Sequence, residues 1–446
     1  MPRLCYSLEI RIANYFRRDQ VIKNSLRMGL SVVLSAFCVF CINQNAHGSG
    51  FGIFTQSASS LGQGAAVVAH TSSPSTIFFN PALMNNLDGT HIEVGTTLFF
   101  PEREFTDPAG NKSDNQDTIY ATGTFYLTHK FNDKLSAGLG VFNPFGLGTE
   151  WDGNWEGRYI ATKSQMAVFN INPVASYRIL PGVSLAAGLD IIVLDATFER
   201  KINLSGIAGA PAGTFPDAGQ KFQCDDTGVG FNIGFAADLT KNITLGASYR
   251  SEVKLDPSGT VSYSLPSGIP PQLGGLFQGM GAKTHLTLPQ QVYAGIAYKD
   301  LGPLTMEAGM RWEGWSSFHQ MTVTLDNGMS QTTPRNWKDT YAINFGAQYK
   351  LNDTVSLLGG YLYGQNPVPD STFEPAIPDS DTHLFCIGTD LKFNRFSIAL
   401  AYAYQLQLDR TKNNTIGDPF SPGTGTANGR YSADMQMLAI SLGYRF

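Results

Sequence analysis

The sequence predicts an all-β protein, a transmembrane antiparallel β-barrel of about 14 strands with an N-terminal hatch (plug) inside the lumen. Three observations predict it. Segments of roughly ten residues alternate apolar and polar side chains with period two. Short turns between them alternate with long polar loops, and one charge-poor stretch of small residues precedes the first strand.

Bulk composition agrees with this class. The chain has 446 residues, a net charge of −5, 15% charged and 12% aromatic residues, and 47 glycines. Length alone would suit two or three soluble domains. A mean hydropathy of −0.10 excludes a helical membrane bundle. It does not exclude a barrel, in which only alternate residues meet lipid. The mild negative charge gives no reason to expect nucleic acid as a partner.

Residues 1–48 read as a leader. Met28–Ile42 is the one long apolar run, too short for a comfortable transmembrane helix. Lys23 and Arg27 precede it, and Ala46-His47-Gly48 follows as a cleavage site before Ser49. The first 20 residues make an overlong basic region, which places the true start near Val21 or Met28. Cys38 and Cys41 lie in this run and read as apolar leader residues. Cys224 and Cys386 fall in a loop and a distant strand, so no disulfide is expected between them. The conclusion is export.

Residues 49–90 read as the hatch. Gly50, Gly52, Ser57–Ser60, Gly62, Gly64, Ala65 and Ala66 are small, and no Lys, Arg, Asp or Glu occurs before Asp88. Phe51, Ile53, Phe54, Val67, Val68 and Ile77–Phe79 are too apolar for a floppy linker and require burial. Pro81 biases Asn80 towards an extended or turn conformation, so Asn80-Pro81-Ala82 marks the end of the plug.

Residues 91–446 read as the barrel. In Phe396–Asp409 one face is Phe396, Ile398, Leu400, Tyr402, Tyr404, Leu406 and Leu408; the other is Ala, Ser, Gln and Asp. Tyr341–Lys350 and Phe231–Leu239 alternate in the same way. A soluble sandwich also alternates. Strand length, aromatic residues near strand ends and the loop pattern favour a membrane barrel. The last strand ends on Phe446, as in the signal read by the barrel assembly machinery. Long loops are expected near 101–117, 144–163, 201–226, 257–285, 319–335, 365–382 and 410–430. The 257–285 loop is unusually apolar, so it either exposes a greasy patch or packs on its neighbours. Arg250, Glu252 and Lys254 alternate on one face and are expected to point into the lumen as an ion network holding the hatch.

Several stretches, in this order, carry a resemblance. SGFGIFTQSASSLGQGAAVVA and FFNPALM in the hatch are followed by NPFGLGTEWDGNWEGRY, YRSEVKLD, LPQQV, WEGWSSF, NWKDTY and NPVPDSTFEPAIPDSD. Together they resemble the FadL-type long-chain fatty acid transporters of the Gram-negative outer membrane. The match runs over nearly all of the chain after the leader. Two departures stand out: LPQQV replaces the usual L-P-[DE], and Thr382-His383 stand where the family often has Arg.

The resemblance implies site residues. Arg200 and Lys338 align with the family's basic pair at the ligand carboxylate; they could equally be girdle cations at the membrane rim. Ser49, Gly50 and Phe51 would be the hatch tip or gate, with Asn80, Pro81 and Ala82 at its end. Asn143, Pro144 and Gly146 would kink a strand and open a side window, unless the strand simply ends at the loop. No catalytic motif, metal cluster or cofactor loop is recognisable, so no enzyme activity, metal or cofactor is expected. The expected function is passive uptake of long-chain fatty acids, by loop capture, lumen binding and lateral release in the outer membrane, as a monomer. The alternatives are uptake of aromatic hydrocarbons by the same architecture, or a surface-exposed adhesin or phage-receptor barrel.

Overall fold

The computed structural model describes residues 50–71 and 73–446. The expected leader, and Ser49, lie outside the described residues. Fourteen long strands follow one another through the described residues. They are β1 (Thr90–Thr106), β2 (Tyr120–Lys130), β3 (Leu135–Glu150), β4 (Lys163–Leu180) and β5 (Val183–Ile202). Then come β6 (Ala218–Asp238), β7 (Ile243–Arg250), β8 (Gln291–Leu301), β9 (Leu304–Glu313) and β10 (Thr340–Lys350). The last are β11 (Val355–Gly364), β12 (Thr382–Phe393), β13 (Phe396–Gln407) and β14 (Gly429–Arg445). Each pairs antiparallel with the next, and β14 returns to β1 from His91↔Arg445 to Thr106↔Arg430. The ring is therefore closed, and lipid meets no free sheet edge.

Alternation decides which side chains face out. On β10 Tyr341, Ile343, Phe345 and Tyr349 are exposed, while Ala342 and Asn344 are buried. On β6 Phe231, Ile233 and Phe235 are exposed and Asn232 and Ala236 buried. Large apolar groups outside and small or polar groups inside is the arrangement that lipid selects. No helix among the described residues is long and apolar enough to cross a membrane.

Strand ends differ from the expected loops. β6 has 21 residues, an extended length of roughly 70 Å, so even a tilted strand of this length projects beyond a bilayer core of about 30 Å. Much of the expected 201–226 and 144–163 loops is therefore strand. The 257–285 loop does both things expected of it. Leu273 is buried in a small cluster with Ile202, Leu204 and Ala218, whereas Leu265 and Leu276 are exposed.

The N-terminal segment lies within the ring. Its short helices α1 (Ala58–Gly62) and α2 (Thr76–Phe79) and a 3-10 turn (Pro81–Asn86) are buried, except Asn86 at the end of the turn. Together they touch strands β1–β6 and β11–β14. Ser57 caps α1 in a capping box with Ser60. Asn80 caps the 3-10 turn by accepting from Ala82 N–H, and its amide donates to Val68 O and Phe235 O, both at 2.8 Å. Residues 62–69 lie against glycines of the wall. A Cβ on Gly246 would sit 2.0 Å from Val68 O, and one on Gly346 2.5 Å from Gln63 O. Only a wall without side chains there admits the segment so closely.

Beneath this segment, Arg250 on β7 pairs with Asp190 on β5 and reaches Phe78 O at 3.5 Å. Asn170 donates to Asp190 at 2.6 Å and Asn232 to Asn172 at 3.0 Å, which completes a buried polar network. The expected partners Glu252 and Lys254 do not join it. β7 ends at Arg250, where Ser251 N–H donates to Phe231 O at 2.9 Å, and Val253–Leu255 form a separate short strand. Lys254 is exposed and pairs with Glu252 at 3.5 Å. Cys224 and Cys386 are both free and buried.

Candidate functional site

The start of the N-terminal segment is bonded to β3. Asn143-Pro144 shifts the β3–β4 register between Phe142 and Phe145. This kink presents Pro144 O and Gly146 N–H to the lumen. Ile53 N–H donates to Pro144 O and Gly146 N–H to Phe51 O, each at 2.8 Å. Residues 51–53 thus add a short strand where β3 has lost its partner. Among the described residues, β2 pairs with β3 only from Phe125↔Val141 to Lys130↔Ser136, so Tyr120–Thr124 have no β3 partner. Beyond the gap the ladder resumes with Gln116 N–H on Glu150 O at 2.8 Å. A side-chain contact spans it, Gly123 N–H to Asn143 Oδ1 at 3.3 Å. Asn143 and Pro144 therefore border a break in the wall, and the Gly146 N–H beside it is held by the N-terminal segment.

Phe51 is buried in an aromatic nest. Ring centroids lie 4.5 Å away for Trp315, 5.7 Å for Trp337, 6.0 Å for Phe145 and 6.1 Å for Phe318. Gly50, at φ +67°, has no room for a side chain, since a Cβ would lie 2.7 Å from Trp337. Its N–H donates to Asp379 Oδ2 at 2.8 Å. Asp379 stands in the loop between β11 and β12, and burial pushes its carboxyl up to about 7 although Gly50 N–H and Arg410 pull it down.

A cavity of about 60 Å³ adjoins Phe51, walled by Leu147, Met166, Leu194, Phe198 and Phe318 and by one guanidinium, that of Arg335. Arg335 is 6% exposed, forms an ion pair with Glu374 and lies 5.8 Å from the Phe318 ring. Its Nε has no hydrogen-bond acceptor among the described residues.

The basic pair expected from sequence is not brought together at this cavity. Arg200 Nε donates to Gln220 Oε1 at 2.6 Å and its Nη2 to Gln331 Oε1 at 2.8 Å, near the outer end of β5. Lys338 is exposed. The reason is local: in an irregular stretch that turns at Asn336, φ +50°, Arg335 and Trp337 are buried whereas Asn336 and Lys338 are exposed. No strand period runs through this turn, so the sequence carried no signal that marks Arg335 as the buried cation. Gly50, Phe51 and Asn80–Ala82 all lie buried within the ring, and no group of metal-ligating side chains occurs among the described residues.

This architecture has relatives. A long-chain fatty acid transport protein of Shigella flexneri is 27% identical over 400 residues, covering 81% of this chain and 88% of the relative. The crystal structure of a Pseudomonas aeruginosa FadL homologue superimposes with a TM-score of 0.81 at 22% identity, over 89% of this chain and all of that one. The toluene transporter TodX of P. putida does so with a TM-score of 0.69 at 19% identity, over 89% and 99%. Residues 39–446 match the family described as outer membrane protein transport protein (OMPP1/FadL/TodX). The chain belongs to this family of outer membrane β-barrels, which are channels for hydrophobic substrates.

Proposed function

We propose that the protein takes up long-chain fatty acids passively across the outer membrane, with residues 50–87 as its hatch. The observation that carries this reading is the apolar cavity bounded by the hatch tip, Phe51, and by the buried guanidinium of Arg335. A carboxylate entering a low-dielectric cavity needs a cation or N–H donor there. An acyl chain needs far more than 60 Å³, so ligand entry has to displace Phe51. That displacement strains the Ile53–Pro144 and Gly146–Phe51 bonds and frees the edge of β3 beside the wall break. Arg200 and Lys338, on the outer part of the path, would meet an acid before it reaches the cavity. Release through the gap at Asn143 and Pro144 delivers it to the membrane without crossing the polar network of Arg250 and Asp190.

A second reading is uptake of small aromatic hydrocarbons. The nest of Phe51, Trp315, Phe318 and Trp337 favours it, because these rings offer edge-to-face partners to another ring. Binding and liposome uptake of a labelled long-chain fatty acid, its methyl ester and toluene separate the two. Preference for the acid, lost in the Arg200→Ala, Lys338→Ala double variant or in Arg335→Gln, supports the first reading. Equal handling of acid and ester, unchanged in all variants, supports the second. Uptake of none of the three overturns both.

A further inference from the structure

Residues 50–87 contain one ionisable side chain, His70. One wall carboxylate meets it. Glu307 projects inward from β9 between two small residues in register, Ala297 on β8 and Gly346 on β10. Its Oε1 accepts Val68 N–H at 2.5 Å; its Oε2 accepts Ala69 N–H at 2.9 Å and His70 N–H at 3.0 Å. Three successive backbone donors thus converge on one carboxylate, both of whose oxygens accept. The same Oε2 lies 2.8 Å from His70 Nδ1.

The other ring nitrogen fixes the assignment. His70 Nε2 lies 3.0 Å from Gln63 Oε1. The Gln63 amide cannot be turned round, because its Nε2 donates to Ser59 O at 3.1 Å. Gln63 Oε1 only accepts, so His70 Nε2 donates; an ionised Glu307 only accepts, so His70 Nδ1 donates too.

We propose that His70 carries a proton on each ring nitrogen and forms with Glu307 a buried ion pair that positions the hatch in the lumen. The proposal rests on reading residues 50–87 as the hatch. Other charged wall groups facing this segment have other partners: Asp390 takes Ser59 Oγ and Gln348, Glu93 takes Ser73 Oγ, Arg250 holds Asp190, and Arg311 lies beside Glu313 and over the Phe54 ring. Removing either member of a buried pair leaves the other charge uncompensated. The contact lies mid-segment, away from the tip at Phe51. Movement of the tip then leaves Val68–His70 seated on β9, so His70 and Glu307 are positioning residues of the gate.

The direct test is nitrogen-15 NMR of the histidine-labelled barrel in detergent at pH 7.5, with His70 assigned from His70→Gln. Two ring N–H signals are expected for His70, whereas an unpartnered imidazole is mostly singly protonated at that pH. A single ring N–H overturns the proposal, whatever the outcome of fatty acid uptake. A second test follows an Ala66→Cys reporter, buried in the wild type. Glu307→Gln and His70→Gln are each expected to raise its labelling rate at least tenfold while heat-modifiable mobility of the barrel is kept. Unchanged labelling in both variants would mean that glycine packing and Asn80 alone seat the hatch, and would overturn the positioning role.

Discussion

Gly360 on β11 and Gly64 in the N-terminal segment meet backbone to backbone. A Cβ built on Gly360 would lie 2.2 Å from Gly64 N, and one on Gly64 2.8 Å from Tyr361 N. Gly64 also holds φ +59°. The segment and the wall share one surface here, with no side chain between them.

Gly360→Val is therefore expected to push the segment off the wall. Overpacking of a fitted contact costs about 1–3 kcal/mol. Thermal unfolding in detergent checks it: a lowered midpoint is expected for Gly360→Val, and little change for Gly359→Val, whose Cβ would meet nothing within 4 Å.

Asn80 ties two carbonyls, Val68 O and Phe235 O, and caps the 3-10 turn. Asn80→Ala leaves both carbonyls buried without this donor, at a cost of about 1–3 kcal/mol. Denaturant titration of Asn80→Ala and Asn80→Asp reads it, and both are expected to be weaker than wild type, since neither supplies the amide N–H.

Asp379 sets a pH dependence. Its folded carboxyl titrates near 7, above the ordinary 3.8, so between these values the folded state binds more protons than the unfolded one. Stability then falls as pH rises through that window. The upper bound is about 4 kcal/mol at 1.36 kcal/mol per unit. Asp379→Asn is expected to flatten the slope of unfolding midpoint against pH between about pH 4 and 7; a slope equal to wild type would assign the dependence elsewhere.

Arg335 and Glu374 form a buried pair beside an apolar cavity. Arg335→Met leaves Glu374 uncompensated and is expected to cost about 3–5 kcal/mol, while Arg335→Met with Glu374→Leu recovers most of it. A double-mutant cycle on unfolding free energy measures the difference.

Much of this was legible in the chain. Alternation in Tyr341–Lys350 and Phe396–Asp409 marked strands and separated the lipid face from the lumen face, because period two is intrinsic to extended backbone. The apolar, charge-poor stretch from Gly50 to Leu87 marked a buried segment. Arg335 was not legible as the cation at the cavity. Its neighbour Lys338 carries the family resemblance, but burial depends on the phase of an irregular loop that only its packed partners set.

By itself, then, the sequence determined the strands and the membrane-facing surface, since both follow from local periodicity; closure rests on the pairing of β14 with β1. Tertiary structure decided which polar groups meet. Glu307 and His70 are 237 residues apart, and Gly50 and Asp379 are 329 apart. Such contacts come from where a closed ring brings distant strands round one enclosed segment, and no local pattern encodes them.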